Sequence, residues 1–183
     1  MSFNFLWFRD VERGIKTLVF AWEEGAVAKE SADVFYNESI LNVDAIRKIC
    51  KQEKVDGVCS IISELAMMTV SSVASVLDLT ANSFSSSRMT ANKMLMKKSF
   101  IKANLPCAKG QLFKDSRNAS KYAEELLKIG SVIVKPSDRS GSLAINHINS
   151  LANFNKYFIK AKEVSVEKTV IIEEYHEGQE YSV

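Results

Sequence analysis

The sequence has 183 residues, 46% hydrophobic and 25% charged, the make-up of an ordinary globular chain with room for one large domain or two small ones. Its 24 basic and 22 acidic side chains leave a net charge of +2, too weak a field to call for nucleic acid or an anionic membrane surface. No apolar run approaches the roughly 18 residues that span a bilayer. Met1–Asp10 is aromatic but short and leads into Glu12 and Arg13 rather than a small-residue cleavage site, so secretion is not expected. Three widely spaced cysteines, Cys50, Cys59 and Cys107, give neither a disulfide framework nor a metal knuckle, which fits a reduced, cytoplasmic setting. Cys50 and Cys59, in apolar surroundings, read as small buried hydrophobes.

In chain order, Ile15–Ala21 predicts a buried strand. Val43, Ile46, Ile49 and Cys50 stand at helical spacing, so 43–53 predicts an amphipathic helix with Asn42 as its cap. Val55–Ile62 predicts the next strand and 64–79 a second helix, where Met67, Met68, Val70, Val73, Ala74 and Leu77 form packing surface. Ser63 and Glu64 follow a strand on the side where open α/β sheets take ligands, although an acid in a first helical turn is favourable in its own right. Strand–helix alternation with short connections favours a parallel sheet.

The serine-rich stretch 82–87 then punctuates the chain, and we read two modules joined near residue 88. A helix over 89–104 carries Lys93, Lys97 and Lys98 on its basic side and ends before Pro106. Beyond it come a strand at 110–113, a helix at 116–129, a strand at 132–135, a loop at 136–142 and a strand at 143–148. A helix at 151–162 and a strand at 169–173 complete the run.

Two segments could carry chemistry. In Val132–Ser142, VIVKPSDRSGS, Lys135 closes an apolar strand, where an ammonium needs a polar site to face. The small loop after Pro136 can turn backbone N–H groups into a concave array for phosphate oxygens, or can be a solvated hairpin loop. In Val170–Val183, VIIEEYHEGQEYSV, an apolar strand runs into paired carboxylates, a turn at Gly178 and Glu180 opening a further strand. Carboxylates there can accept from ribose hydroxyls and exposed backbone can pair with an adenine edge, or the segment is an acidic β-hairpin. His147 and His176 stand alone, without a second ligand at zinc spacing. Trp7 and Trp22 have no evident partner.

Taken together and in order, Asn92-Lys93 opening a helix, NLPCAKG, VIVKPSDRSGS and VIIEEYHEGQEYSV resemble the ATP-grasp superfamily, which includes biotin carboxylase, carbamoyl phosphate synthetase and D-alanine–D-alanine ligase. The resemblance covers about residues 90–183, and more loosely 11–88, through ADVFYNESI and VDGVCSIISELA. It implies an α/β fold: a small parallel-sheet, Rossmann-like domain at 1–88, then the linker helix and first α+β lobe of an ATP-grasp fold at 89–183. A plain dinucleotide binder is disfavoured, since no GxGxxG follows a strand.

The resemblance also implies roles for individual residues. Lys93 reaches the nucleotide phosphates from the linker helix, and Lys135 contacts the α- and β-phosphates. Ser140, Gly141 and Ser142 belong to the loop that closes over them. Glu173 stands beside the adenine amino group, Glu174, Tyr175 and His176 form the adenine hinge, and Glu180 binds ribose. The implied partners are ATP with magnesium and a small carboxylate substrate. Ala144 departs from the family's glycine, and Met1–Asp10 lacks the family's glycine-rich first turn.

The family's magnesium ligands and its acyl-phosphate arginine come later than Val183. The expectation is therefore the ATP-binding front part of a ligase that activates a carboxylate for attack by an amine, with no catalytic residue of its own. The alternative is a noncatalytic nucleotide- or partner-binding protein on half a cleft. Such an open half-cleft would expose apolar surface, which favours a homodimer.

Overall fold

The computed structural model describes residues 14–61, 63–179 and 181; the expectations for Trp7, Ile62 and Glu180 fall outside these. The chain divides into two compact units, Met1–Arg88 and Met89–Val183.

In the first unit, β1 (Leu18–Ala21) pairs in parallel with β2 (Val34–Asn37), Leu18 opposite Val34 and Phe20 opposite Tyr36. A 3-10 turn at Val27–Glu30 lies on the crossover between them. Parallel pairing is what the alternation implied, but the second strand is not the expected one. Val55–Ile61 forms no strand. Lys54 enters it in the left-handed region and Asp56 bends it, while Val55 and Val58, three residues apart, both pack on the same cluster. A strand would turn positions of that spacing to opposite faces. Cys59 on this segment is consequently exposed, contrary to expectation, whereas Cys50 is buried.

Helix α1 (Val43–Gln52) is capped by Asn42, whose side chain accepts from the Ala45 N–H, and α2 (Glu64–Leu77) by Ser63, which accepts from the Ala66 N–H. Glu64 sits in the first turn of α2 and is exposed, the helix-start role. Ile46, Cys50 and Val73 form the small core, with Phe20 and Leu77 against it.

The serine-rich stretch 82–87 lies just before the division between the two units, and it also starts a helix: Ser83 accepts from the Ser86 N–H, and α3 runs Phe84–Ala91. The single expected helix over 89–104 is instead α3 followed by α4 (Lys93–Lys102), separated at Asn92. Asn92 is extended, with φ −114° and ψ 109°, and its side chain accepts from both Met94 and Leu95 N–H groups. Two cap hydrogen bonds at one asparagine compensate for interrupting the helix. Lys93, freed from the helical ladder, donates its backbone N–H to the Ser137 carbonyl at 2.8 Å.

Strand β3 (Gly110–Phe113) is followed by α5 (Ser116–Leu127), β4 (Val132–Pro136), β5 (Asn146–Ile148), α6 (Phe154–Val164) and β6 (Val170–Glu174). The sheet order is β3-β6-β4-β5, with every neighbouring pair antiparallel. Helices α5 and α6 cover one face, where Ala119, Ala123, Phe154, Phe158 and Ala161 meet Val132, Val134, Val170 and Ile172. Strand alternation turns Gly110, Leu112, Ile133, Lys135, His147, Ile171 and Glu173 to the other face. That second face holds Lys135 and Glu173.

Candidate functional site

Glu173 is the centre of the second face. Its Oε1 is held by the Lys135 ammonium, and its Oε2 lies 3.1 Å from Lys97 Nζ. The side chains are 10%, 20% and 9% exposed for Glu173, Lys135 and Lys97. Lys97 also donates to the Ala108 carbonyl. A buried cation, Lys97, and a half-buried one, Lys135, thus share one carboxylate, leaving a surplus positive charge where solvent screens poorly. Such a surplus favours an anionic ligand.

The strand register that makes this possible depends on Gly110, directly opposite Glu173. A Cβ placed on Gly110 would come within 2.6 Å of the Glu173 Cβ and 3.1 Å of the Ile172 carbonyl oxygen. Only glycine lets β3 approach this closely.

The loop after β4 is anchored at its start. Ser137 and Thr169 share a hydroxyl hydrogen bond of 2.6 Å. The buried Asp138 carboxylate accepts from the Val166 and Glu167 N–H groups at 3.1 and 2.7 Å. Arg139 donates to the Val164 carbonyl, and the Arg139 carbonyl accepts from the Lys93 ammonium. Beyond these ties Gly141 and Ser142 are exposed, with Gly141, Ser142 and Ala144 all left-handed (φ 67°, 54° and 55°). The three turns delay entry into β5 until Asn146, so Leu143 and Ile145, expected in a strand, are exposed loop residues. Ala144 is strained where glycine would not be. Ala144→Gly is expected to raise unfolding free energy by about 1 kcal/mol in urea titration.

At the other end of the sheet, Glu174 faces away from Glu173. Its carboxylate accepts from the Lys109 N–H at 2.7 Å and lies 3.0 Å from His176 Nε2. The Lys109 N–H is the main reason its carboxyl stays below the ordinary value, with burial opposing and His176 assisting. The backbone N–H groups of Glu174 and Tyr175 donate to the Lys109 and Ser131 carbonyls. The Tyr175 ring lies 4.2 Å from that of His147 on β5.

The structure therefore brings Lys135 and Glu173 into direct contact and links Lys93 to the loop that carries Ser140, Gly141 and Ser142. Tyr175 and His176 follow at the end of β6; Glu180 lies outside the described residues. Sequence reasoning did not single out Lys97, Gly110 or His147 for the site. For Lys97 a signal existed: it stands four residues after Lys93, and Met94, Leu95 and Met96 between them mark a half-buried helix. Lys98, grouped with it, is exposed. Among the described residues no three His, Cys, Asp or Glu side chains cluster as a metal site, and no helix is long and apolar enough to cross a membrane.

No family model matches the sequence. The carbamoyl phosphate synthase large chain of Clostridium acetobutylicum is 28% identical over 180 residues, covering 94% of this chain and 16% of that protein. Among solved structures, the biotin carboxylase domain of the Hydrogenobacter thermophilus 2-oxoglutarate carboxylase superposes with a TM-score of 0.71 at 19% identity, covering 91% of this chain and 40% of that one. It was determined with MgADP, ADP and bicarbonate. Biotin carboxylase from Campylobacter jejuni gives a TM-score of 0.64 at 19% identity, over 91% of this chain and 41% of that one. The chain shares the mixed α/β fold of ATP-grasp proteins, as the sequence resemblance implied. It spans about one sixth of the curated relative and two fifths of the solved ones.

Proposed function

We propose that this chain is the ATP-binding front part of an ATP-grasp ligase. The surplus positive charge of Lys97 and Lys135 over Glu173, on the sheet face opposite α5 and α6 and beside an anchored loop, is the observation that carries this reading. Lys93 and Lys135 neutralise phosphate oxygens, and the backbone of Ser140, Gly141 and Ser142 closes over them. Glu173 and the hinge Glu174, Tyr175 and His176 meet the adenine edge, with Glu180 on the ribose. The N–H groups of Glu174 and Tyr175 already donate within the unit, so base pairing falls to the remaining hinge groups.

In the whole enzyme, MgATP would supply the phosphoryl group that turns a carboxylate into an acyl phosphate, which an amine then attacks. The residues of this chain bind, orient and neutralise charge; none is assigned a catalytic step. The first domain-sized unit, Met1–Arg88, is then the pre-grasp domain and the second, Met89–Val183, the linker and first lobe. The setting is cytoplasmic.

Calorimetric titration of the chain with ADP tests this reading. Replacing Lys135 with alanine is expected to weaken ADP by about tenfold or more, the loss of a charge-assisted contact. Unchanged affinity, or no ADP binding by the parent chain, would remove the nucleotide assignment.

A further inference from the structure

Lys97 contributes charge to the nucleotide reading above but is given no contact with the nucleotide, and it is among the most buried charged side chains of the described residues. It lies on α4 one turn from Lys93, and its ammonium is fixed between the Ala108 carbonyl and Glu173 Oε2. Lys135 occupies the other oxygen of the same carboxylate. Lys135 cannot bind phosphate fully while it remains paired with Glu173. If Lys97 were absent, moving Lys135 away would leave a buried carboxylate with no cation, which is strongly unfavourable.

We infer that Lys97 is a positioning residue that releases Lys135: by keeping Glu173 compensated, it lets the Lys135 ammonium exchange a carboxylate for the oxygens of an anionic ligand. The inference rests on the nucleotide reading for the identity of that ligand, but the exchange itself requires only polyphosphate. Lys135 is suited to move because its side chain is the more exposed of the two lysines. Lys97 is suited to stay because the Ala108 carbonyl holds it from a second direction.

A direct phosphate contact by Lys97, or a purely structural role, makes a different prediction from release. Removing Lys97 should trap Lys135 on Glu173; neutralising Glu173 as well should free it again. The full chain is titrated by calorimetry with inorganic tripolyphosphate, adenosine and ADP, as parent, Lys97→Met and Lys97→Met/Glu173→Gln, with thermal melting to confirm folding. Lys97→Met is expected to weaken tripolyphosphate, and to lower the preference for ADP over adenosine, by about tenfold. The double variant is expected to return both to within about threefold of the parent. If the methionine pair does not fold, Lys97→Gln/Glu173→Gln carries the same expectation.

Parent-like tripolyphosphate binding in Lys97→Met overturns the inference, and so does a double variant that stays as weak as the single one. In either case, ADP binding by the parent leaves the nucleotide reading standing. Rescue with tripolyphosphate, but no gain from adenosine in the parent, keeps the exchange and removes the nucleotide. A parent chain that binds none of the three ligands overturns both.

Discussion

Glu173→Ala is expected to lower the unfolding free energy by about 3–5 kcal/mol, because it strands the buried Lys97 ammonium without its carboxylate partner. The two lysines now share the two carboxylate oxygens, and only Lys135 is exposed enough to rehydrate. The measurement is urea unfolding monitored by circular dichroism. Its control is the Lys97→Met/Glu173→Gln pair, in which no buried charge is left uncompensated. That pair should lose clearly less than the single alanine variant, although it changes more atoms. An equal loss would mean that packing around Glu173, rather than charge, holds this part of the sheet together.

Gly110→Val should be comparably damaging for a steric reason. Even a single Cβ at this position would meet the Glu173 Cβ at 2.6 Å, and both atoms are fixed by strand backbone. The two strands must separate, at a cost of about 1–3 kcal/mol or more for overpacking. Because β6 carries Glu173 and leads into the hinge, ADP binding should fall along with stability. Gly110→Val at parent stability and affinity would show that β3 can shift without disturbing the site.

Sequence reading went furthest where the physics is local. Asn42 and Ser63 announce helix starts because a cap hydrogen bond is made by the residue itself and its immediate neighbours. Apolar runs such as 132–135 and 169–173 mark the central strands of the second unit to within a residue or so. The errors arose where a short apolar run had two uses. Val55–Ile61 looked like a strand, but its valines pack three residues apart, while Val34–Asn37 formed the strand. The serine-rich stretch read only as a break because serine also favours turns, and the Ser83 cap makes it a helix start as well.

The candidate site divides in the same way. Lys135 and Glu173 stood out because a charge at the edge of an apolar strand needs a reason. Lys97, Gly110 and His147 did not, since their importance comes from strand register and a helix laid over the sheet. Gly110 matters only because antiparallel pairing places Glu173 opposite it. No periodicity within the β3 segment encodes that partner.

The central claim, that the sheet face of the second unit bearing Lys135 and Glu173 takes a nucleotide, is tested most directly by following the backbone amide signals of the chain as ADP is added. Shifts should concentrate at Lys93, at Ser140–Ala144 after β4, and at Glu174–His176 after β6. An unchanged spectrum, or shifts confined to the Met1–Arg88 unit, would contradict the account.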